Sequence, residues 1–338
     1  MAPAHPRCSQ HPAVQAWNQL CSNTFEANFV EVLQEVRKGN SQSSVYRLHG
    51  VGHSGTAVIA KRSTAQNAHV EQTIYREILP HLPISNLNFY GCVDEPGTQY
   101  CWLFLEDARG VEFTCSIEEH RKLAACWLGR MHVSAAQIPA VVRLPDRGPQ
   151  HYLDHLRFTR QTILRNLDSP ALKTRDLHVV EAILSQGNFL ESRWHCVEEL
   201  CNCFPRTLVH CDFARYNLRV RTSTRGINLV AFDWEMAGRG IPGPDIAEAS
   251  GRGVPRRRVN GDSPDSELVN YWSVVRESWS DLDFPAIREL AELGAVFRLL
   301  AAISWESESI GRGWWPIREL HGYQVDLAIA LEHLRFAQ

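Results

Sequence analysis

Between residues 29 and 105, apolar positions come in short runs of strand length, separated by glycine, serine and asparagine. Segments 29–36, 45–49, 56–61, 89–93 and 99–105 therefore read as five strands. A polar, serine-rich turn at 37–44 and a glycine-rich turn at 50–55 separate the first three. After the third strand the pattern changes to a helical period over 66–81. With Val70 set at zero and about 100° per residue, Ile74, Ile78 and Leu82 fall near ~40°, ~80° and ~120°. Glu71 falls at ~100°, in the middle of that apolar face, and Glu77 lies well off it. A carboxylate aimed inward needs a cation, because burying an unpaired charge costs several kcal/mol. Lys61, ending the third strand, is the natural partner for Glu71, with Glu77 in reserve.

A further helix is expected over 12–21, where Val14, Trp17 and Leu20 share helical spacing, as an appendage packed on the first lobe. Helical spacing also governs most of the chain beyond 107. Leu123, Trp127, Leu128, Met131 and His132 mark an amphipathic helix over 121–136, with His132 a core or helix-end histidine rather than a catalytic one. Residues 139–149 read as a linker and 151–200 as two or three helices. Residues 268–336 are helical and hold Trp272, Trp279, Trp305, Trp314 and Trp315, most of them expected in the core. Asp281, Asp283, Glu306 and Glu308 beside them suit a cationic or sugar-like ligand. A Gly-, Pro- and Arg-rich stretch at 250–265, with Arg256, Arg257 and Arg258, reads first as a solvated loop and second as an anion-binding flap. The resulting division is a tail and short helix (1–27), a first lobe (28–107) and a second lobe (108–338).

One segment breaks the helical part: LVHCDFARYNLRVRTSTRGINLVAFDWE, residues 208–235. Residues 218–221 alternate at period two, 222–226 supply a turn, and 227–232 are nearly all apolar, which makes a hairpin. Folding it returns Asp233 to the loop that carries Asp212 and Asn217. Singly, Asp212 and Asn217 would read as turn caps. Together with Asp233 they form a set of two carboxylates and one amide oxygen. Magnesium takes hard oxygen ligands and keeps several waters, so Asn217 and Asp233 suffice as its protein ligands when phosphates supply the rest. Asp212 is then left to orient a hydroxyl and accept its proton.

Composition limits the alternatives. The chain has 338 residues, 44% hydrophobic and 22% charged, with net charge −3, and is long enough for two cores. That balance gives no electrostatic footprint for nucleic acid. No apolar run approaches ~18 residues, so no membrane span is expected. Ten scattered cysteines and an N-terminus without an apolar core fit a reducing cytoplasm. The cluster His195, Cys196, Cys201, Cys203, His210 and Cys211 lacks the paired knuckles of zinc sites.

The pattern His210-x-Asp212-x-x-x-x-Asn217, followed by a strand ending in Asp233-Trp-Glu, resembles the catalytic segment of the aminoglycoside phosphotransferase and choline kinase superfamily, relatives of the protein kinases. Pro242-Gly-Pro-Asp245-Ile-Ala is similar to that family's Pro-x-x-Asp-Leu-Ala pattern. The resemblance covers about residues 29–250. It implies an α+β, two-lobed protein-kinase-like fold, with an N-terminal five-stranded antiparallel sheet plus one helix and a mostly helical C-terminal lobe. It further implies ATP as phosphoryl donor, with GTP open, Mg2+, and a small-molecule hydroxyl acceptor such as an aminoglycoside, another antibiotic, an amino alcohol or a sugar. Lys61 would contact the nucleotide phosphates. The loop between the first two strands (Gly39, Asn40, Ser41, Ser43 and Ser44) would cover them, and Glu106 to Ala108 would read the base. His210 would brace the loop. Cys211 departs from the family, which has Gly there, and would be strained if the loop needs positive φ. A pseudokinase scaffold is the alternative.

Overall fold

The computed structural model describes residues 8–22, 26–38, 41–169, 172–224, 226–252, 265–310 and 317–334. The chain divides into two compact units, residues 1–112 with 216–236, and residues 113–215 with 237–338. Segment 216–236 thus falls with the first unit, whereas a single cut at 107/108 assigns it to the second.

In the first unit, α1 (Pro12–Cys21) opens with proline in its first turn and His11 Nδ1 accepting from Ala13 N–H, and closes at Ser22 in left-handed conformation. Strands β1 (Phe29–Lys38), β2 (Ser41–His49), β3 (Val58–Thr64), β4 (Phe89–Asp94) and β5 (Tyr100–Glu106) form one antiparallel sheet in the order β1-β2-β3-β5-β4. Between β3 and β4 runs α2 (Ala65–Thr73), capped by the Thr64 hydroxyl. It continues into a π turn (Ile74–Ile78) and a 3-10 turn (Leu79–His81), so the helix expected over 66–81 exists but is not regular α throughout. Ala13, Val14 and Trp17 of α1 pack with Leu48, Val58, Ala60, Trp102 and Phe104 of the sheet. Each large apolar side chain buried this way contributes roughly 1.5–3 kcal/mol. The helix therefore packs on the first unit, as expected, and its apolar face joins that unit's core.

The expected loop at 37–44 is a correction. β1 and β2 run on until Lys38 pairs with Ser41, and Ser43 and Ser44 pair with Val36 and Glu35. Polar residues hide an edge hairpin well, because a solvated strand needs no apolar alternation.

Strand β6 (Val111–Glu112) ends the first stretch of this unit. The second unit begins with α3 (Glu118–Ala135), β7 (Asp146–Arg147), α4 (Pro149–Arg165), α5 (Thr174–Ser192), α6 (Trp194–Asn202) and β8 (Thr207–Val209). The chain then returns to the first unit as the hairpin β9 (Leu218–Ser223) and β10 (Gly226–Ala231), paired with β6. It completes the second unit with β11 (Gly238–Gly240), α7 (Gly243–Ala249), α8 (Ser266–Val275), α9 (Phe284–Ser307) and α10 (Ile317–His333). β11 pairs antiparallel with β8 and parallel with β7. α7 crosses α9 so closely that a Cβ on Gly294 would lie 2.0 Å from the Gly243 carbonyl oxygen, so only glycine fits at that crossing. Trp272, Trp279 and Trp305 are half-buried rather than core, while Trp314, Trp315 and Arg256 to Arg258 lie outside the described residues. No helix among the described residues is long and apolar enough to cross a membrane.

Candidate active site

The first unit gathers its charges around Lys61. The residue sits mid-strand in β3, opposite Val45 and Leu103, and only 6% of it is exposed. Its Nζ donates to Glu71 Oε1 at 2.6 Å, to Asp233 Oδ1 at 2.5 Å and lies 3.1 Å from Glu235 Oε2. Glu71 is fully buried on α2, with Val70, Ile74 and Ile78 buried around it, whereas Glu77 is exposed. The reserve candidate therefore has no part in the pair.

Asp233 and Glu235 flank a sharp turn. β10 ends at Ala231, opposite Leu218, and Phe232 N–H donates to the Asn217 carbonyl, so the hairpin sets Asn217 one register step from Asp233. Asp233 then adopts φ 68°, a left-handed conformation that aspartate tolerates better than most residues. A 3-10 turn (Trp234–Met236) follows and buries the Trp234 indole completely, which leaves the carboxylates on either side of it to meet Lys61. Glu235 was legible in the Asp-Trp-Glu triplet, but only the turn shows that it shares the ammonium.

Three carboxylates on one ammonium leave an excess of negative charge. Burial pushes Glu71 up to about 7 against the attraction of Lys61, and Asp233 and Glu235 add to the rise. Despite its burial, Lys61 is held well above its ordinary range by Glu71, Asp233 and Glu235. Oxygen atoms of Glu71, Asp233 and Glu235 lie within 4.8 Å of one another. A compact, anionic, all-oxygen donor set is what a hard divalent cation such as Mg2+ accepts. Asp233 and Glu235 are the partly exposed members, and Asn217, 3% exposed, stands at the base of the same hairpin.

The segment expected to read a base is clamped. Arg221 of β9 pairs with Glu106 Oε1 at 2.9 Å and donates to the carbonyls of Asp107, Ala108 and Arg109. Asn88 N–H binds the other Glu106 carboxylate oxygen, and Glu106 N–H donates to Asn88. The clamp fixes the strand end but also occupies the Ala108 oxygen and the Glu106 carboxylate. Of the phosphate-covering residues, Gly39 and Asn40 lie outside the described residues. Ser41, Ser43 and Ser44 are strand positions, not loop, and Ser43 and Ser44 are half-buried.

The second unit presents Asp212 on the loop after β8, half-buried and flanked by fixed neighbours. Asp245 in the first turn of α7 accepts from His210 N–H at 2.7 Å and Cys211 N–H at 2.8 Å. The same buried carboxylate meets His132 Nε2 at 3.2 Å, and His132 Nδ1 meets the Tyr271 hydroxyl at 3.0 Å. His132 is therefore a buried bracing residue. Phe213 stacks on Trp127 at 5.5 Å, and the Cys211 thiol lies 3.8 Å from the hydroxyl of Tyr152, itself stacked on Phe297. Cys211 takes φ 62°, the left-handed conformation that glycine adopts freely. Burial pushes its thiol up to about 12, so it stays protonated. Asp283, considered as a ligand group, instead caps α9 by accepting from Ala286 N–H.

The model of the phosphotransferase enzyme family matches residues 32–284, and the chain belongs to that family. No curated protein matches it in sequence. Among solved structures, ethanolamine kinase of Plasmodium vivax is similar at TM-score 0.58 and 14% identity, covering 90% of this chain and 83% of that one. Choline kinase of Cryptosporidium parvum is similar at 0.56 and 14%, covering 90% of each chain. A spectinomycin phosphotransferase in complex with ADP and spectinomycin gives 0.56 and 10%, covering 95% of this chain and 98% of the other. The fold is thus the two-lobed, protein-kinase-like α+β fold, and the family is one of phosphotransferases.

Proposed function

We propose that the protein transfers the γ-phosphoryl group of ATP to a hydroxyl of a small molecule. The observation that carries this reading is the Lys61 ammonium, buried and held by Glu71 beside Asp233 and Glu235. Such a lysine is a fixed positive charge for the nucleotide phosphates. Asn217 and Asp233, with Glu235 beside them, would hold Mg2+, which when bound neutralises charge on the phosphate oxygens. Asp212 orients the acceptor hydroxyl and takes its proton as the oxygen attacks phosphorus. Its loop is pre-set by the two N–H bonds to Asp245, so little reorganisation is needed at that step. Amino alcohols, sugars and antibiotics all carry the hydroxyl this chemistry requires.

Turnover of Asp212→Ala tests the assignment, measured as nucleotide consumption with a panel of hydroxyl acceptors. The expected result is loss of turnover with an unchanged melting temperature. Wild-type-like turnover would overturn the role of Asp212.

A further inference from the structure

The second unit carries a half-buried arginine with no carboxylate partner among the described residues. Arg121, Arg252 and Arg298 each pair with a carboxylate, through Glu267, through Asp265 with Glu292, and through Glu248. Arg147 has no carboxylate partner among the described residues, and its Nε is buried without a hydrogen-bond partner. The neighbouring Asp146 is already engaged by Arg206 and by Gly148 N–H. Arg147 cannot easily turn away. It pairs with Gly240 in the β7–β11 ladder, and its Cγ lies 2.4 Å from where a Cβ on Gly238 would be.

Beside this guanidinium stand two imidazoles one turn apart on α4. Arg147 Nη1 lies 3.4 Å from both ring nitrogens of His151. The His151 and His155 rings meet edge to face at 4.7 Å, and Trp305 closes the row with its ring 6.2 Å from His155. His155 Nε2 is also buried without a partner. Burial and the Arg147 charge hold His151 down to about 3 and His155 down to about 4, so both rings are neutral near pH 7. Asp146 and Asp154 lie near enough to act on the rings, but no carboxylate among the described residues pairs with the Arg147 guanidinium, so a cationic fork beside two neutral imidazoles describes half of an ion pair. Leaving a guanidinium partly desolvated without an anion is costly, and a carboxylate or phosphate supplies the bidentate acceptor it lacks.

The geometry points to an oxyanion site formed by Arg147, His151 and His155, which takes the carboxylate or phosphate group of a small molecule. It stands on the residues of the second unit alone. Only the use of that group by an acceptor rests on the phosphotransferase reading.

The protein, free of nucleotide, would be titrated with inorganic phosphate and separately with D-glycerate, a hydroxy acid, by calorimetry. Arg147→Gln should weaken binding by about tenfold or more, as expected for loss of a charge-assisted bidentate contact. Arg147→Lys, which keeps the charge but not the fork, should fall between. Lys61→Met should leave the affinity within about twofold, because the ligand is not at the nucleotide phosphates. Near-UV circular dichroism checks that each variant is folded, and His155→Phe serves if Arg147→Gln is not, with the same expected weakening. Binding of phosphate alone identifies a phosphate-bearing ligand, and binding of glycerate a carboxylate-bearing one. No binding by the wild type, or equal binding by Arg147→Gln and His155→Phe, overturns the site. A nucleotide that fails to bind while Arg147-dependent anion binding persists would defeat the kinase reading and leave this one standing.

Discussion

Lys61 and Asp233 are 172 positions apart in sequence, yet the lysine ammonium donates to the Asp233 carboxylate at 2.5 Å and to Glu71 at 2.6 Å. The three residues come from β3, α2 and the turn after β10, so the pairing ties strand, helix and hairpin to one point. Glu71→Gln keeps the shape and removes the charge. Lys61 would retain Asp233 and Glu235, so a stability loss of only about 1–2 kcal/mol is expected. Nucleotide affinity should fall by about tenfold or more as the lysine loses its fixed position. Melting curves and nucleotide titration on the same samples check both.

Asp233→Asn addresses the divalent cation. Replacing one carboxylate by an amide removes a charged oxygen ligand from an all-oxygen set. A magnesium-dependent rise in melting temperature with ATP, expected for the wild type by mass action, should vanish in this variant.

Cys211 sits at φ 62° in the loop that carries Asp212. Cys211→Ala removes the buried thiol and keeps the strained backbone, while Cys211→Gly removes both. The difference between the variants isolates the conformational cost. The glycine form should be more stable than the alanine form by about 1 kcal/mol, the order of the left-handed penalty for a side-chain-bearing residue. Paired denaturant melts give that difference directly.

Asp245→Ala removes the acceptor of two loop N–H groups and the partner of His132. Because the carboxylate is fully buried, those donors would be left unsatisfied. The expected loss is about 3 kcal/mol or more, together with turnover. A much smaller shift in the midpoint of urea unfolding would show that water replaces it.

His151 and His155 give an acid limit. Their folded values, about 3 and about 4, lie below the ordinary histidine range near 6.5. The unfolded chain therefore binds more protons than the folded one as the pH falls. Stability from these groups is full above ~6.5 and is lost progressively down through their folded values. Melting temperature measured from pH 7 to 4 should fall less steeply in a His151→Asn, His155→Asn double variant than in the wild type.

Much of this was written locally. The strand and helix periods gave the five-stranded sheet and the helix carrying Glu71, because a half-buried strand or helix must repeat its apolar residues at its own geometric period. The same helical angle separated Glu71 from Glu77 before any contact was known, and the Asp212, Asn217 and Asp233 spacing located the candidate chemistry. What no local pattern contained was decided by packing. β1 and β2 continue through polar residues and convert Ser41, Ser43 and Ser44 from loop to strand. Arg221 reaches back to clamp 106–109, Glu235 joins Asp233 on one lysine, and Asp245 turns a short motif into the brace of the loop that carries Asp212. Arg147 is left without a paired carboxylate among the described residues. Each of these depends on which distant groups meet, and a one-dimensional period carries no information about long-range pairing.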